Sequence, residues 1–523
     1  MSTVAVAYGE PASADHNKDE HSENMELLFN SPAGGPFSPN RTQRINSDLA
    51  FWGDRAYAGN YYGFRTFDVS DPASPQLLSR FECFGPQNDT VVWENDLLFV
   101  AIDRTLKSPE CLPERQNITP SDDPAGWEGV RIFDVSNPRN PELIGNVYTD
   151  CGAHTITLQP LPSDPGRILL YASSYPLAPG PTCGAANFDN TENPFDGDPG
   201  SPGDPLHGVI QVIEVPLDDP ASAQEIAQPE ITYPGDPDNQ FIWAEHGLGF
   251  EGGNLPGLED AARACHDIQV FVELNLAAGA CAEQGQLWNV DPATGLPDTE
   301  NPVWVFDDVA DTNGATGDPN DDEVVIDFFH TAAFNWDGSV VNFVDESFGE
   351  GCPPTTPAPG LEAQDPDDRS QPNPAYPGDT GRMFFVDTAT GQKLSHFMIP
   401  RSEADDKVQY CSAHIQGFVP TADGSDWMVA AWYRGGVDVI DVNDPTNPTE
   451  VAFYDRQDGD NWSAYWYEGP SLPGDTLTLY ASDGVHIPRD GKGFQVYSVE
   501  GLGIPEVNLD RLNPQTQEAV ISP

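Results

Sequence analysis

Ten histidines in 523 residues are an ordinary number, but His154, His266, His330 and His414 each open an apolar-alternating run of the kind that forms an inner β-strand. Three further runs begin in the same way at Asp48, Asp89 and Trp462. If the seven starts are equivalent, two carboxylates, four imidazoles and one indole converge on one place. Neutral imidazoles from separate elements are good ligands for copper, zinc, iron or manganese, and nearby oxygens orient their second nitrogens. His266 and His330 would be the central ligands, flanked by His154 or His414. Asp48, Asp89, Asp267 and Trp462 would line the surroundings. Without an ion, the same four rings would simply hydrogen-bond water and backbone at a polar mouth.

A second run follows each first one and returns to the same face. These runs end at Asn60, Asp103, Asp345, Glu346, Trp432 and Asp483. Asp345 with Glu346 follows the apolar run Val340-Val341-Asn342-Phe343-Val344, and the pair would act as an orienter or general base. A solvated loop pair is the plainer reading of them. His16, His21, His207, His246, His396 and His486 fall in loops or termini and receive no role.

Eight cysteines, Cys83, Cys111, Cys151, Cys183, Cys265, Cys281, Cys352 and Cys411, contain no pair at zinc-ribbon or thioredoxin spacing. Mixed Cys/His ligation is one use for Cys151, Cys265 and Cys411, which lie just before histidines. Disulfides are the better reading: Cys83 with Cys111, Cys151 with Cys183, Cys265 with Cys281, and Cys352 with Cys411. They imply an oxidising compartment. Ala5-Val6-Ala7 and Ala12-Ser13-Ala14 look like signal-peptidase sites, but no basic and apolar stretch precedes them, so any export signal is incomplete here.

The elements that position these residues are set by a repeat. Gly63-Phe64-Arg65-Thr66-Phe67-Asp68-Val69-Ser70-Asp71-Pro72 recurs as Gly129-Val130-Arg131-Ile132-Phe133-Asp134-Val135-Ser136-Asn137-Pro138 and as Gly436-Val437-Asp438-Val439-Ile440-Asp441-Val442-Asn443-Asp444-Pro445, with weaker copies near 208, 286 and 382. Each reads as strand, proline-bearing turn, strand, with two more strands upstream. Four antiparallel strands per unit around the chain predict an all-β, seven-bladed propeller over 25–505 with long acidic loops. Blade 7 lacks a fourth strand, and Met25-Glu26-Leu27-Leu28-Phe29-Asn30-Ser31-Pro32 would supply it. Residues 1–24 are expected as a flexible segment and 506–523 as a tail.

The repeat resembles that of the LVIVD family of secreted β-propellers, which implies the fold and an extracellular or cell-surface location but no general activity. By architecture and histidine usage the site is similar to the selenium-binding and methanethiol oxidase propellers, which implies an oxidoreductase acting on a small molecule. The alternative is a surface-interaction module whose acidic loops bind carbohydrate, protein or cation.

Charge excludes other classes. Asp plus Glu number 84 against 23 Lys plus Arg, a net charge of -61. Nucleic-acid binding needs clustered bases, and there are none. An anionic membrane would repel the chain, and no window is apolar enough to span one. So acidic a surface fits halophilic conditions, where screening relieves self-repulsion. Acidic loops such as Asp189 to Asp198 or Asp318 to Glu323 would hold calcium or be merely solvated. A monomer is expected.

Overall fold

The computed structural model describes residues 19–32, 45–120, 123–150, 152–174, 180–181, 208–232, 265–281, 284–306, 328–346, 352, 381–401, 411–467, 476–484 and 493–519. Cys151, Cys183 and the acidic loop segments expected to hold calcium lie outside these residues.

The repeat motif dictates its own geometry. The opening glycines Gly63, Gly129 and Gly436 have φ of 133°, 135° and 85°, and a Cβ at each would collide with the carbonyl oxygen of Phe81, Val147 or Tyr454 on the next strand. Only glycine satisfies both conditions. At the other end, Asp68, Asp134 and Asp441 each accept the amide two residues on, at 3.0, 2.9 and 3.0 Å. A second such turn follows at Asp71, Asn137 and Asp444. These side-chain caps fold the chain back before the prolines, which have no donor to lose. Val69, Val135 and Val442, between the turn residues, are fully buried anchors.

Seven such sheets form a ring. The innermost strands are Asn46–Trp52, Gln87–Trp93, Thr155–Pro160, Ile268–Phe271, Phe329–Phe334, Gln416–Val419 and Asn461–Trp466, in blades 1 to 7. In each blade three more antiparallel strands lie outward, in blade 1 Arg55–Asn60, Gly63–Asp68 and Gln76–Glu82. Apolar side chains pack between neighbouring blades; Ala56, Phe67, Tyr480 and Val496, from blades 1 and 7, share one such cluster.

Blade 7 takes its outer strand from the other end of the chain. Met25–Pro32 pairs antiparallel with Gly493–Glu500, from Met25 opposite Val499 to Pro32 opposite Gly493. The closure expected from the sequence is therefore present. A buried polar residue two places after the repeat glycine helps fix it: Arg65 donates to the carbonyls of Ser31 at 2.8 Å and Pro32 at 3.2 Å. In blade 2 the equivalent Arg131 donates to Pro109 O and Phe84 O.

The segment after the last blade is more than a tail. Val507 donates to Pro420 O in the loop after the inner strand of blade 6, and Arg511–Leu512 pairs with Trp52 and Phe51 of blade 1. Asn513 bonds both backbone groups of Val92 in blade 2. Thr516 reaches Leu158 O of blade 3, Thr516–Gln517 pairs with Val270–Phe271 of blade 4, and Gln517 donates to Asn335 O of blade 5. Tyr467 of blade 7 donates to Asp510 O. The segment thus ties to every blade across one end of the channel.

Deleting residues 19–32 leaves the blade 7 strand Gly493–Glu500 as an open edge and removes three acceptors of Arg65. The truncated protein is expected to melt at least about 5 °C lower, which for a chain of this size is a loss of about 5 kcal/mol or more. A peptide of residues 19–32 should restore the midpoint; unchanged melting on deletion would contradict this role for the strand.

Candidate metal centre

The four histidines form a continuous arc at the channel end opposite the C-terminal segment. Ring centroids are 4.4 Å apart for His154 and His266, 3.7 Å for His266 and His330, and 4.0 Å for His330 and His414. Trp462 continues the arc, 4.6 Å from His414. All four imidazoles are buried, with exposures between 1% and 6%. The strand starts place them there: His330 and Trp462 sit at a bulge, each an extra residue between two pairs of the ladder.

The bulges correct one expected equivalence. In blade 5 the residue after the bulge, Thr331, pairs with Val344; in blades 1 and 2 the shift falls between Asn46 and Leu49 and between Gln87 and Thr90. This register places Ser47 and Asn88, rather than Asp48 and Asp89, level with the histidines. The Ser47 hydroxyl accordingly donates to Asn88 O at 3.0 Å. Asp48 and Asp89 belong one layer deeper, level with Asp267. A one-residue bulge leaves no mark on an alternating pattern at the strand's first residue, so the slip could not be read from sequence.

Each imidazole has its Nδ1 committed to a different protein group. His154 Nδ1 lies 2.7 Å from Asp103 Oδ2, and His266 Nδ1 3.0 Å from Asp267 Oδ1. His330 Nδ1 lies 2.5 Å from Thr331 Oγ1, and His414 Nδ1 2.5 Å from Trp462 O. A carboxylate and a carbonyl can only accept, so His154 and His414 carry the proton on Nδ1 and the lone pair on Nε2 when neutral, and His266 does the same when Asp267 is ionised. His330 does the same if Thr331 directs its hydroxyl proton to His414 O, 3.1 Å away. Burial, reinforced by neighbouring imidazoles, holds His266 and His330 well below the usual histidine range and so in this neutral form.

Glu346 completes the arrangement. Its Oε2 is 3.8 Å from His330 Nε2 and its Oε1 3.9 Å from His414 Nε2, with the Tyr433 hydroxyl donating to Oε1 at 2.5 Å. These separations exceed hydrogen-bond length. Two ligands of one tetrahedral ion at about 2.1 Å stand about 3.4 Å apart, so a contraction of about half an ångström suffices. His330, Glu346 and His414 have their donor atoms within 4.8 Å of one another, as do His266, Asp267 and His330. Glu346 is thus an inward-facing group rather than a solvated one. Asp345 is fully buried and ties the backbone of Phe328 and Gly381, a structural duty.

Of the strand ends singled out in sequence, Asp103 and Glu346 reach histidines through their side chains; Asp483 instead binds the blade 7 loop at Asp460 N and Gln495. Tyr433 and Gln87, which lies 3.2 Å from His154 Nε2, were not legible. Both have φ in the left-handed region, 47° and 62°, and Asn88 follows at 55°. Strain in three non-glycine residues around one mouth is the signal that only coordinates supply. The disulfides Cys83–Cys111, Cys265–Cys281 and Cys352–Cys411 are formed on this face, which makes Cys/His ligation by Cys265 or Cys411 unnecessary.

Below the imidazoles, Asp48, Asp89 and Asp267 are buried, and of the three Asp267 alone has basic neighbours, His266 at 3.0 Å and His154, whose charge lowers it. Burial raises Asp48 and Asp267 to about 7, and burial with the Asp48 charge raises Asp89 well above its usual range. Asp48 accepts Leu49 N and the Tyr465 hydroxyl, and Asp89 accepts Ile156 N.

Fold and mouth together define a disulfide-tied seven-bladed propeller with a histidine-rich channel end. The chain carries LVIVD repeats: the family model matches residues 44–82, 125–149 and 429–456, the full repeats of blades 1, 2 and 6. No curated protein matches it in sequence. Among solved structures it is similar to a candidate 6-phosphogluconolactonase of Bacteroides uniformis, at 11% identity over 89% of this chain and 98% of that one, TM-score 0.41. Sqt1 of Chaetomium thermophilum, bound to the N-terminus of the ribosomal protein L10, is 12% identical over 87% of this chain and 88% of that one, TM-score 0.42. Among the described residues no helix is long and apolar enough to cross a membrane.

Asp48 gives a pH prediction. Its folded-state value of about 7 lies above the unfolded value of about 3.9, so its contribution is complete below about pH 4 and is lost as pH rises toward 7. Asp48→Asn cannot ionise. The melting temperature of the variant minus that of the wild type should therefore rise between pH 4 and 7; a flat difference would show that Asp48 ionises in the fold as freely as in the unfolded chain.

Proposed function

We propose that this chain is a secreted metalloprotein that holds one divalent transition ion at the channel mouth and uses it on a small molecule. His266, His330 and His414 would supply Nε2 ligands and Glu346 a carboxylate, with His154 flanking. The observation that carries the reading is the commitment of all four Nδ1 atoms to separate partners, the outer-sphere arrangement that fixes tautomer and ring orientation in metal sites. Hydrogen bonding to water alone does not require one tautomer in four rings.

The mouth supports a bound ion in two further ways. Adjacent buried imidazoles cannot be protonated together at low cost, so the arc favours a cation held by lone pairs. Disulfides brace the loops around it, and they accord with an extracellular setting. Copper, iron or manganese in this place would make the protein an oxidoreductase; zinc would make it a Lewis-acid site instead.

Elemental analysis of protein purified without chelators or added ions tests the reading. About one transition ion per chain is expected, and His330→Ala should weaken its binding by roughly a hundredfold or more, beyond the 10- to 100-fold typical of lost outer-sphere contacts. Metal-free variant and metal-free wild type should melt within a few degrees of each other. Protein that neither retains nor takes up copper, zinc, iron or manganese would leave the mouth as a polar binding surface with structural histidines.

A further inference from the structure

Tyr433 stands where the chain would more cheaply carry glycine. It lies in the turn between the strands Trp427–Ala431 and Val437–Asp441 of blade 6, with Gly435 and Gly436 close behind, and its φ is 47°. A bulky side chain in this left-handed region is strained, by about 1 to 3 kcal/mol, and persists only where its surroundings over-determine it. They do so here. Tyr433 N donates to Asn461 O at 3.1 Å and Asn461 N to Tyr433 O at 2.8 Å, which fastens the strained residue to the inner strand of blade 7. Its ring is buried, 4.2 Å from that of His414.

What this backbone delivers to the mouth is a hydroxyl. It donates to Glu346 Oε1 at 2.5 Å, in the range of bonds from a hydroxyl to a carboxylate. The other oxygen, Oε2, lies 3.8 Å from His330 Nε2. A carboxylate held by a donor at one oxygen meets an ion with the other, and so takes one coordination place rather than two. Three imidazoles and one oxygen make four ligands. A chelating carboxylate would make five and fill the place that a reactive site keeps for its substrate.

We infer that Tyr433 is a positioning residue, which keeps Glu346 to a single bond with the mouth ion and so preserves the place where a small molecule joins the metal. The inference rests on the metal reading above and goes beyond it in assigning the open place to one hydroxyl.

Copper(II), which binds nitrogen and oxygen sites most tightly among the divalent first-row ions, serves as the metal probe and azide as the small molecule. Copper-loaded wild type should bind azide, seen as the charge-transfer band of an azide–copper bond. Tyr433→Phe keeps the ring and removes only the hydroxyl. At saturating copper it should bind azide at least about tenfold more weakly, while the metal-free variant melts within a few degrees of wild type. In a Glu346→Ala background there is no carboxylate to hold, so Tyr433→Phe should change azide affinity there by less than about twofold. Azide affinity that Tyr433→Phe leaves unchanged, or weakens equally in both backgrounds, makes Tyr433 a packing residue and overturns the inference. Copper-loaded wild type with no azide band overturns it too, while the metal reading stands. Wild type that takes up no copper ends both.

Discussion

The structure depends on one pairing: Met25–Pro32 against Gly493–Glu500. A ring of twisted sheets has no stable open form, because a missing outer strand leaves unpaired backbone and a bare apolar flank on the neighbouring blade. Once closed, the ring fixes the angular position of every inner strand. The separation of the four imidazoles is then a property of the circle rather than of any local contact. This is why the rings of blades 3 to 6 can stand within 4.4 Å of their neighbours although their residues are scattered over 260 positions of sequence.

Much of the ring was legible in the sequence, for a physical reason. The repeat records steric facts: glycine where a Cβ has no room, aspartate where an amide needs a cap, proline where no donor is needed. Such constraints act within a few residues and leave a local pattern. The histidines also stood out, since a residue type recurring at one strand position is visible without coordinates. What remained hidden acts across the fold. The bulges that move Asp48 and Asp89 down a layer are differences of pairing, and the partners of His154 and His414, Asp103 and the Trp462 carbonyl, come from other strands or blades. The strands of the C-terminal segment, two residues each, have no periodicity to read.

The electrostatics of the channel invert those of the surface. Outside, carboxylates are cheap, for water and salt screen them. Inside, Asp48, Asp89 and Asp267 lie near one another and the histidines in a buried passage, where burial favours the neutral form of acid and base alike. A cation entering from the histidine end would meet lone pairs first and latent negative charge beneath them. The ordering is set by strand position: imidazoles at the first turn of the ring, carboxyls one residue deeper.

The closing strand also imposes an order in time. Residues 25–32 leave the ribosome well before 493–500 and must wait for them. Through that interval six blades have their sequence complete while the seventh cannot form, and the flank of blade 1 stays uncovered. The C-terminal segment, which touches all seven blades, can settle only after them. Contacts of such sequence separation make folding slow and leave edges exposed to wrong partners. For this protein the hazard of misassembly is therefore concentrated in the interval before residues 493–517 are made, and a ribosome pausing there would hold the ring open.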